Sequence, residues 1–388
     1  MNILLLAPHP FYQERGTPIA VDLLARTLSE RGENVDILAY HEGEDRTYPR
    51  PGSVRLFRIS APPGCRNIRP GFSFKKLLAD IAMHRVAMRM AAAKHYDLVH
   101  AVEESVFMAM RIQRRRGIPY VYDMDSSLSQ QMADKLWWAR PLMPFMRGCE
   151  RRAVRGAKAV TAVCDSLADQ ARGDGARHIA ILRDVPLLEP LEADGPARGF
   201  RHDLGLDGPA LLYIGNLESY QGIDLLLEAF ARVPANTGAH LVIIGGILKH
   251  VAQYQAKAQS LGLADRVHLP GPRPIPDMAA LMADTDILVS PRIHGTNTPM
   301  KIYSYMASGK AILATDLPTH TQVLDAETAR LAPPRPTEFG QAMTELIQQP
   351  ETRAQLGAAA RHAVETRYSL TVYRQTLNEL YDYLAADK

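Results

Sequence analysis

Two stretches of this chain carry residue types and spacings suited to holding a phosphorylated ligand. The first, Gly215-Asn216-Leu217-Glu218-Ser219-Tyr220-Gln221-Gly222, follows the apolar run Ala210–Ile214 and precedes the apolar helical pattern Ile223–Phe230. Glycine at each end lets a backbone approach a ligand closely, and Asn216 and Gln221 bring hydrogen-bond donors. The second runs from Ile287–Ser290 through Arg292, His294, Gly295, Thr296, Thr298 and Pro299 to Lys301, which opens a helical pattern containing Ser304 and ending at Gly309. Free N–H groups and the dipole at a helix start attract phosphate. A lysine there adds a full positive charge.

The amino-terminal half offers two further loops. Gly16 and Thr17 stand just before a helix with Pro18 near its start, a placement that suits a phosphate or a sugar oxygen as well as a plain strand–helix turn. Asp123 and Asp125, two residues apart after the run Tyr120–Tyr122, fall on one side of a continuing strand. They suit sugar hydroxyls, acceptor orientation or proton transfer; Asp125, Ser126 and Ser127 equally suit capping of a following helix. His100, Glu103 and Glu104 follow a neighbouring strand and line the same cleft or form a surface loop.

The elements that position these residues are short apolar runs alternating with amphipathic helices, which predicts parallel sheets covered by helices on both faces. The pattern restarts near Ala210, after a Pro- and acid-rich stretch, Asp184–Ala197, that reads as a linker. The expected fold is α/β: two Rossmann-like doubly wound domains, residues 1–188 and 189–369, facing across a cleft. Ligands in such sheets bind beyond the carboxyl ends of the strands.

A chain of 388 residues accommodates two such domains, and 46% hydrophobic and 22% charged residues are ordinary for a globular protein. No apolar window reaches membrane-span length, and the amino terminus reads as a buried strand rather than a leader. Three widely spaced cysteines, Cys65, Cys149 and Cys164, form no metal pattern and suggest reduced thiols in the cytoplasm. Residues 1–190 hold 28 Lys and Arg against 21 Asp and Glu, a balance of +7 within a whole-chain +3. Eleven of these bases lie in residues 46–95 beside one acid, Asp80. That stretch suits a membrane's inner face or an acidic acceptor as well as a plain solvated surface; no nucleic-acid motif accompanies it.

The loop–strand–helix series from 210 to 325, with its Ala307-Ser-Gly-Lys-Ala-Ile312 turn, resembles the donor half of glycosyltransferase family 4, a retaining family of GT-B fold. The resemblance extends over nearly the whole chain. It implies transfer of a sugar from a nucleotide-sugar, UDP- or GDP-linked, to a carbohydrate or lipid-linked hydroxyl, with no metal or cofactor. It also implies that the carboxyl-terminal helix, 370–388, packs back on the first domain. Gly16 and Thr17 then approach the donor diphosphate, while Gly246 and Leu269 sit in the turns that hold the nucleotide. Asp125 takes the place of a family histidine near sugar and acceptor. Four positions depart from the family pattern: Asn216 stands for its arginine and Gln221 for its lysine. Thr296 (or His294) and Ser304 stand for its two glutamates. The resemblance leaves Lys301 as the diphosphate cation, with Arg292 in reserve; His320 reads first as a capped loop histidine and otherwise as a residue approaching the site. The neutral replacements equally suit a weak or inactive scaffold that binds a sugar nucleotide or a protein.

Overall fold

Strands buried on both faces need uninterrupted Val, Ile, Leu and Ala, and the two sheets of this protein are built from such runs. The computed structural model describes residues 1–14, 16–68, 73–127, 143–187 and 199–386. It divides into two compact units, Met1–Arg183 with Tyr373–Lys388, and Asp184–Val372. Most of the linker read from the sequence, and the segment after Ser127, fall outside the described residues.

In the first unit the strands are β1 (Asn2–Ala7), β2 (Asn34–Ala39), β3 (Val54–Arg58), β4 (Leu98–Val102), β5 (Tyr120–Met124), β6 (Ala159–Ala162) and β7 (Ile179–Ile181). They form one sheet in the order β3-β2-β1-β4-β5-β6-β7, paired in parallel throughout. Helix α1 (Gly16–Arg31) links β1 to β2. Helices α2 (Phe74–Ala93), α3 (Val106–Arg116), α4 (Met143–Gly156) and α5 (Asp165–Asp174) follow in the later crossovers. Right-handed crossovers put α2 to α5 on one face. Their apolar stripes, including Met83, Ile112, Val154 and Leu167, share a core with Leu4, Val99, Tyr122 and Val160. The carboxyl-terminal helix, Leu370–Ala386, joins this unit from Tyr373 onward. Tyr381 shares a 2.9 Å hydrogen bond with His100 Nδ1, and Lys158 donates to the Leu384 carbonyl at 3.1 Å.

The second unit holds β8 (Ala210–Ile214), β9 (His240–Ile244), β10 (Val267–Gly271), β11 (Ile287–Ser290), β12 (Ala311–Thr315) and β13 (Arg330–Ala332), in the order β10-β9-β8-β11-β12-β13. These pairs are parallel too. Its helices are α6 (Phe200–Leu204), α7 (Ile223–Phe230), α8 (Leu248–Ser260), α9 (Met278–Ala283), α10 (Lys301–Ser308), α11 (Pro318–Thr321), α12 (Pro336–Gln348) and α13 (Pro350–Arg367). Two cores cover the sheet. One is built on α7, α8 and α12, the other on α9, α10 and α13. Both units are therefore Rossmann-like.

Strand order reverses between β1 and β4 in the first sheet and between β8 and β11 in the second. Loops diverge at such a reversal and leave a crevice beyond the carboxyl ends. Each loop singled out for chemistry follows one of these strands or its neighbour.

Candidate functional site

In the second unit the site grows from the loops after β8 and β11. Gly215 (φ 152°) ends β8, and Gly222 (φ 74°) closes the loop at the start of α7. A Cβ at Gly222 would lie 2.0 Å from the Pro291 carbonyl oxygen, so only glycine lets the two loops meet. The Ile293 N–H donates to the Tyr220 carbonyl at 3.0 Å and fastens them together. A Cβ at Gly246 would come within 2.5 Å of Leu217 Cγ. The turn after β9 thus packs directly on the Gly215–Gly222 loop.

Lys301 opens α10, and its ammonium lies 3.9 Å from the Tyr213 ring centroid and 3.4 Å from Gln221 Oε1. A Cβ at Gly215 would be 3.3 Å from Lys301 Nζ. Helix position alone suggests a mobile rim cation; the structure instead packs the amine on an aromatic face, held by the loop opposite. Burial, and then the nearby Arg292 guanidinium, push the Lys301 amine well below its ordinary pKa. Among the described residues it has no carboxylate partner.

Arg292 is 8% exposed. It donates to the His294 carbonyl at 2.7 Å and to Asn297 Oδ1 at 2.9 Å, and it lies over the Tyr220 ring. Gly295 (φ 113°) leaves room for that guanidinium, which a Cβ would meet at 2.2 Å. Gln221 is 7% exposed and Asn216 is exposed, with its amide near Tyr220 Oη. Thr298, beside the start of α10, is 4% exposed, and its hydroxyl has no hydrogen-bond partner among the described residues. Pro299 is buried and Thr296 half-buried, while His294 is exposed.

Other sequence candidates are engaged elsewhere. Ser304 Oγ accepts from the Leu187 N–H at 3.0 Å. The Leu269 side chain is in the core, and its carbonyl accepts from Gln255. His320 is fully buried between Ser290 Oγ (2.8 Å) and Thr315 Oγ1 (2.9 Å). Burial drives it down to about 3, against the Thr315 carbonyl bond that raises it. It is a neutral brace for the β11 and β12 ends rather than a contact to ligand.

This assignment sets a sign for acid behaviour. The unfolded imidazole titrates near 6.5 and the folded one near 3. Its stability contribution is complete above pH 6.5 and is lost as pH falls towards 3. We expect the melting temperature to fall between pH 7 and pH 5 less steeply in His320→Gln than in the parent. Identical slopes would remove the assignment.

In the first unit, Gly16 opens α1, with nothing near an added Cβ, and Thr17 is half-buried. Asp123 does not face a ligand alone. It accepts from Thr161 at 2.6 Å and lies 3.3 Å from His100 Nε2, which Tyr381 braces. Asp125 lies just past β5, half-buried; the helix it was considered to cap lies outside the described residues. Ser126 donates to Glu103 Oε1 at 3.0 Å. Glu103 has φ 48°, a costly conformation for a glutamate. Burial, then the neighbouring Glu104, push its carboxyl up.

Lys76 pairs with Glu104 and donates to the Pro8 carbonyl at 2.8 Å. Burial opposes its charge, yet Glu104 and Asp80 hold it protonated. Burial raises Asp80 to about 6. His9, just after β1, has a buried Nε2 without a partner among the described residues, and burial lowers its pKa to about 4. Sequence reading passed over His9, Lys76 and Asp80; the signal available was a polar residue directly after β1 and an acid inside an otherwise basic helix.

Comparison with known proteins agrees with this geometry. Residues 15–183 match the Glycosyl transferase 4-like domain and residues 208–349 match Glycosyl transferases group 1. The chain is thus a GT4-type glycosyltransferase built on the GT-B fold. It is 24% identical to the alpha-D-kanosaminyltransferase of Streptomyces kanamyceticus, over 71% of this chain and 74% of that one. It is 26% identical to the phosphatidyl-myo-inositol mannosyltransferase of Mycobacterium leprae, over 99% and 97%. Among solved structures, sucrose-phosphate synthase from Thermosynechococcus elongatus matches with a TM-score of 0.79 at 20% identity, covering 100% of both chains. Anabaena Alr3699/HepE in complex with UDP matches at 0.73 and 16% identity, covering 98% and 100%.

Proposed function

We propose that this enzyme transfers a sugar from a nucleotide-sugar, UDP- or GDP-linked, to a hydroxyl of a carbohydrate or lipid-linked acceptor, with retention. The observation that carries this reading is the Lys301 ammonium. It sits beside Gly215 and Gln221 at the reversal of the second sheet, with its charge unmatched by any carboxylate among the described residues. A cation so placed, next to the unpartnered Thr298 hydroxyl and a helix start, suits a diphosphate.

In this reading the diphosphate lies against Gly215, Gln221, Thr298 and Lys301, with Asn216 and Arg292 at its margin. In the first unit the Gly16–Thr17 helix start is the candidate for a phosphate or sugar oxygen. The turn at Gly246 and the loop after β10 hold the nucleobase through backbone, and Ser304, whose hydroxyl accepts from the Leu187 N–H, marks the ribose side. The bond between the anomeric carbon and the phosphate oxygen breaks while the acceptor oxygen bonds to the same face of that carbon. The acceptor proton passes to the departing phosphate. Lys301 balances the charge that develops there. Asp125, beside Ser126 and Glu103, orients the acceptor hydroxyl.

The relatives' names support a lipid-linked acceptor: one is a phosphatidyl-myo-inositol mannosyltransferase. No helix among the described residues is long and apolar enough to cross a membrane. We place the enzyme in the cytoplasm, in peripheral contact with the inner membrane face.

A melting-temperature and product screen with UDP- and GDP-sugars, with membrane lipid extract as acceptor source, tests the reading. One nucleotide should raise the melting temperature, and its sugar should appear on an acceptor with unchanged anomeric configuration. No shift with any nucleotide-sugar in folded protein would sink it.

A further inference from the structure

The eleven bases of residues 46–95 do not form one free face. Arg55 and Lys94 both pair with Asp36, Arg58 with Asp45, Arg46 with Asp22 and Lys76 with Glu104. Charge unmatched by carboxylates among the described residues lies on three neighbouring helices, of which α2 belongs to that stretch. Helices α2, α3 and α4 carry four Lys or Arg each and two acids between them, Asp80 and Glu150. Neither acid faces out: Asp80 accepts from Tyr40 Oη at 2.5 Å, and Glu150 is 2% exposed. Arg85, Arg89, Arg111, Arg115, Arg147 and Arg152 are exposed and have no carboxylate partner among the described residues. The Arg111 and Arg115 charges lower the neighbouring His84 after burial does, so α2 and α3 present their bases to common ground.

The same helices expose aromatic rings. Phe74 is 72% exposed, Phe107 41% and Phe145 70%. Each lies in the first turn of its helix, at residues one, two and three of α2, α3 and α4. Helices in successive parallel crossovers run in one direction, so these first turns share the carboxyl edge of the sheet. That is the edge where Glu103 and Asp125 stand. Leu77 and Ile81, 44% and 45% exposed, extend the apolar band along α2. A row of rings with unmatched arginines behind it is the arrangement that burying apolar tips among acyl chains beneath anionic headgroups requires.

We infer that the α2–α3–α4 face docks this enzyme on an anionic lipid bilayer, with Phe74, Phe107 and Phe145 entering the headgroup boundary and the arginines of α2, α3 and α4 meeting lipid phosphates. The inference deepens the reading of a lipid-linked acceptor, because the docked edge carries the acceptor-side residues. Its test needs neither donor nor acceptor, so its failure is separable from failure of that reading. A soluble acidic macromolecule would use the arginines but not a row of rings set for insertion.

The full chain is sedimented with vesicles of phosphatidylcholine alone and of equal parts phosphatidylcholine and phosphatidylglycerol. The mixed vesicles should bind at least about tenfold more tightly, and less so as salt rises. F74S/F107S/F145S, which changes no charge, should lose at least about fivefold in binding. R85E/R111E/R147E should abolish the preference for anionic lipid. R232E/R273E/R335E, on the second unit, should bind as the parent does. Melting temperatures of all variants check that each is folded. Equal binding to both vesicle types, or a folded F74S/F107S/F145S that binds like the parent, would overturn the proposal; the latter outcome would assign the face to an acidic protein or nucleic acid.

Discussion

Lys301→Met should lower transfer by about a hundredfold to a thousandfold in kcat, the usual effect of removing one preorganised group that meets developing charge. Its melting temperature should stay equal to the parent's or rise. The two effects oppose each other for one physical reason. In the free protein the ammonium is desolvated, lies near Arg292 and has no carboxylate partner among the described residues. The Tyr213 face offsets only part of that cost. Methionine keeps the stem and removes the charge, so the resting fold loses only the cation–π contact and the long 3.4 Å bond to Gln221 Oε1. In the proposed reading the donor diphosphate supplies the missing countercharge, and only the loaded enzyme needs the lysine. Because burial and Arg292 depress the free amine, nucleotide binding should take up a proton there. Between the depressed free value and the restored bound one, affinity should weaken tenfold per unit rise in pH. Calorimetry of UDP or GDP binding over a pH series, in two buffers of different ionisation enthalpy, reads that uptake, which Lys301→Met should abolish. A variant with kcat within threefold of the parent would remove Lys301 from the chemistry.

The parts of this arrangement that a sequence shows are those set by local rules. Strands buried on both faces appear as unbroken apolar runs, so Ala210–Ile214 and Ile287–Ser290 were legible together with the glycine loops that follow them. The reversal of strand order followed from alternation of strands and helices plus crossover handedness. What stayed hidden depends on distant residues meeting. His100 gains its role from Tyr381, and Lys76 from Pro8 and Glu104. Lys301 reads as a helix-opening residue until Tyr213 is seen beneath it. A count of bases along residues 46–95 does not show which of them are paired with acids. Ion pairs to Asp22, Asp36 and Asp45 neutralise much of that stretch, whereas α2, α3 and α4 come together only in the folded sheet.

Gly222→Ala should be among the most damaging single methyls added to the second unit. At φ 74° an alanine bears left-handed strain of about 1–2 kcal/mol. Its Cβ would also lie 2.0 Å from the Pro291 carbonyl oxygen and 3.2 Å from Ile293 Cγ2. A backbone oxygen has no rotamer by which to retreat, so the loops must part. Parting them breaks the Ile293-to-Tyr220 bond and carries Gln221 away from Lys301. A total cost of about 3–5 kcal/mol follows for such a clash with strain, which lowers the melting temperature of a unit this size by about 10 °C. Nucleotide binding should weaken with it. Gly148→Ala is the contrasting change. It lies inside α4 with ordinary φ and nothing within 4 Å of an added Cβ, so it should stabilise by about 0.5–1 kcal/mol. If Gly222→Ala melts within 2 °C of the parent and binds nucleotide normally, the two loops slide freely past each other. The contact that positions Gln221 opposite Lys301 is then not what shapes the site.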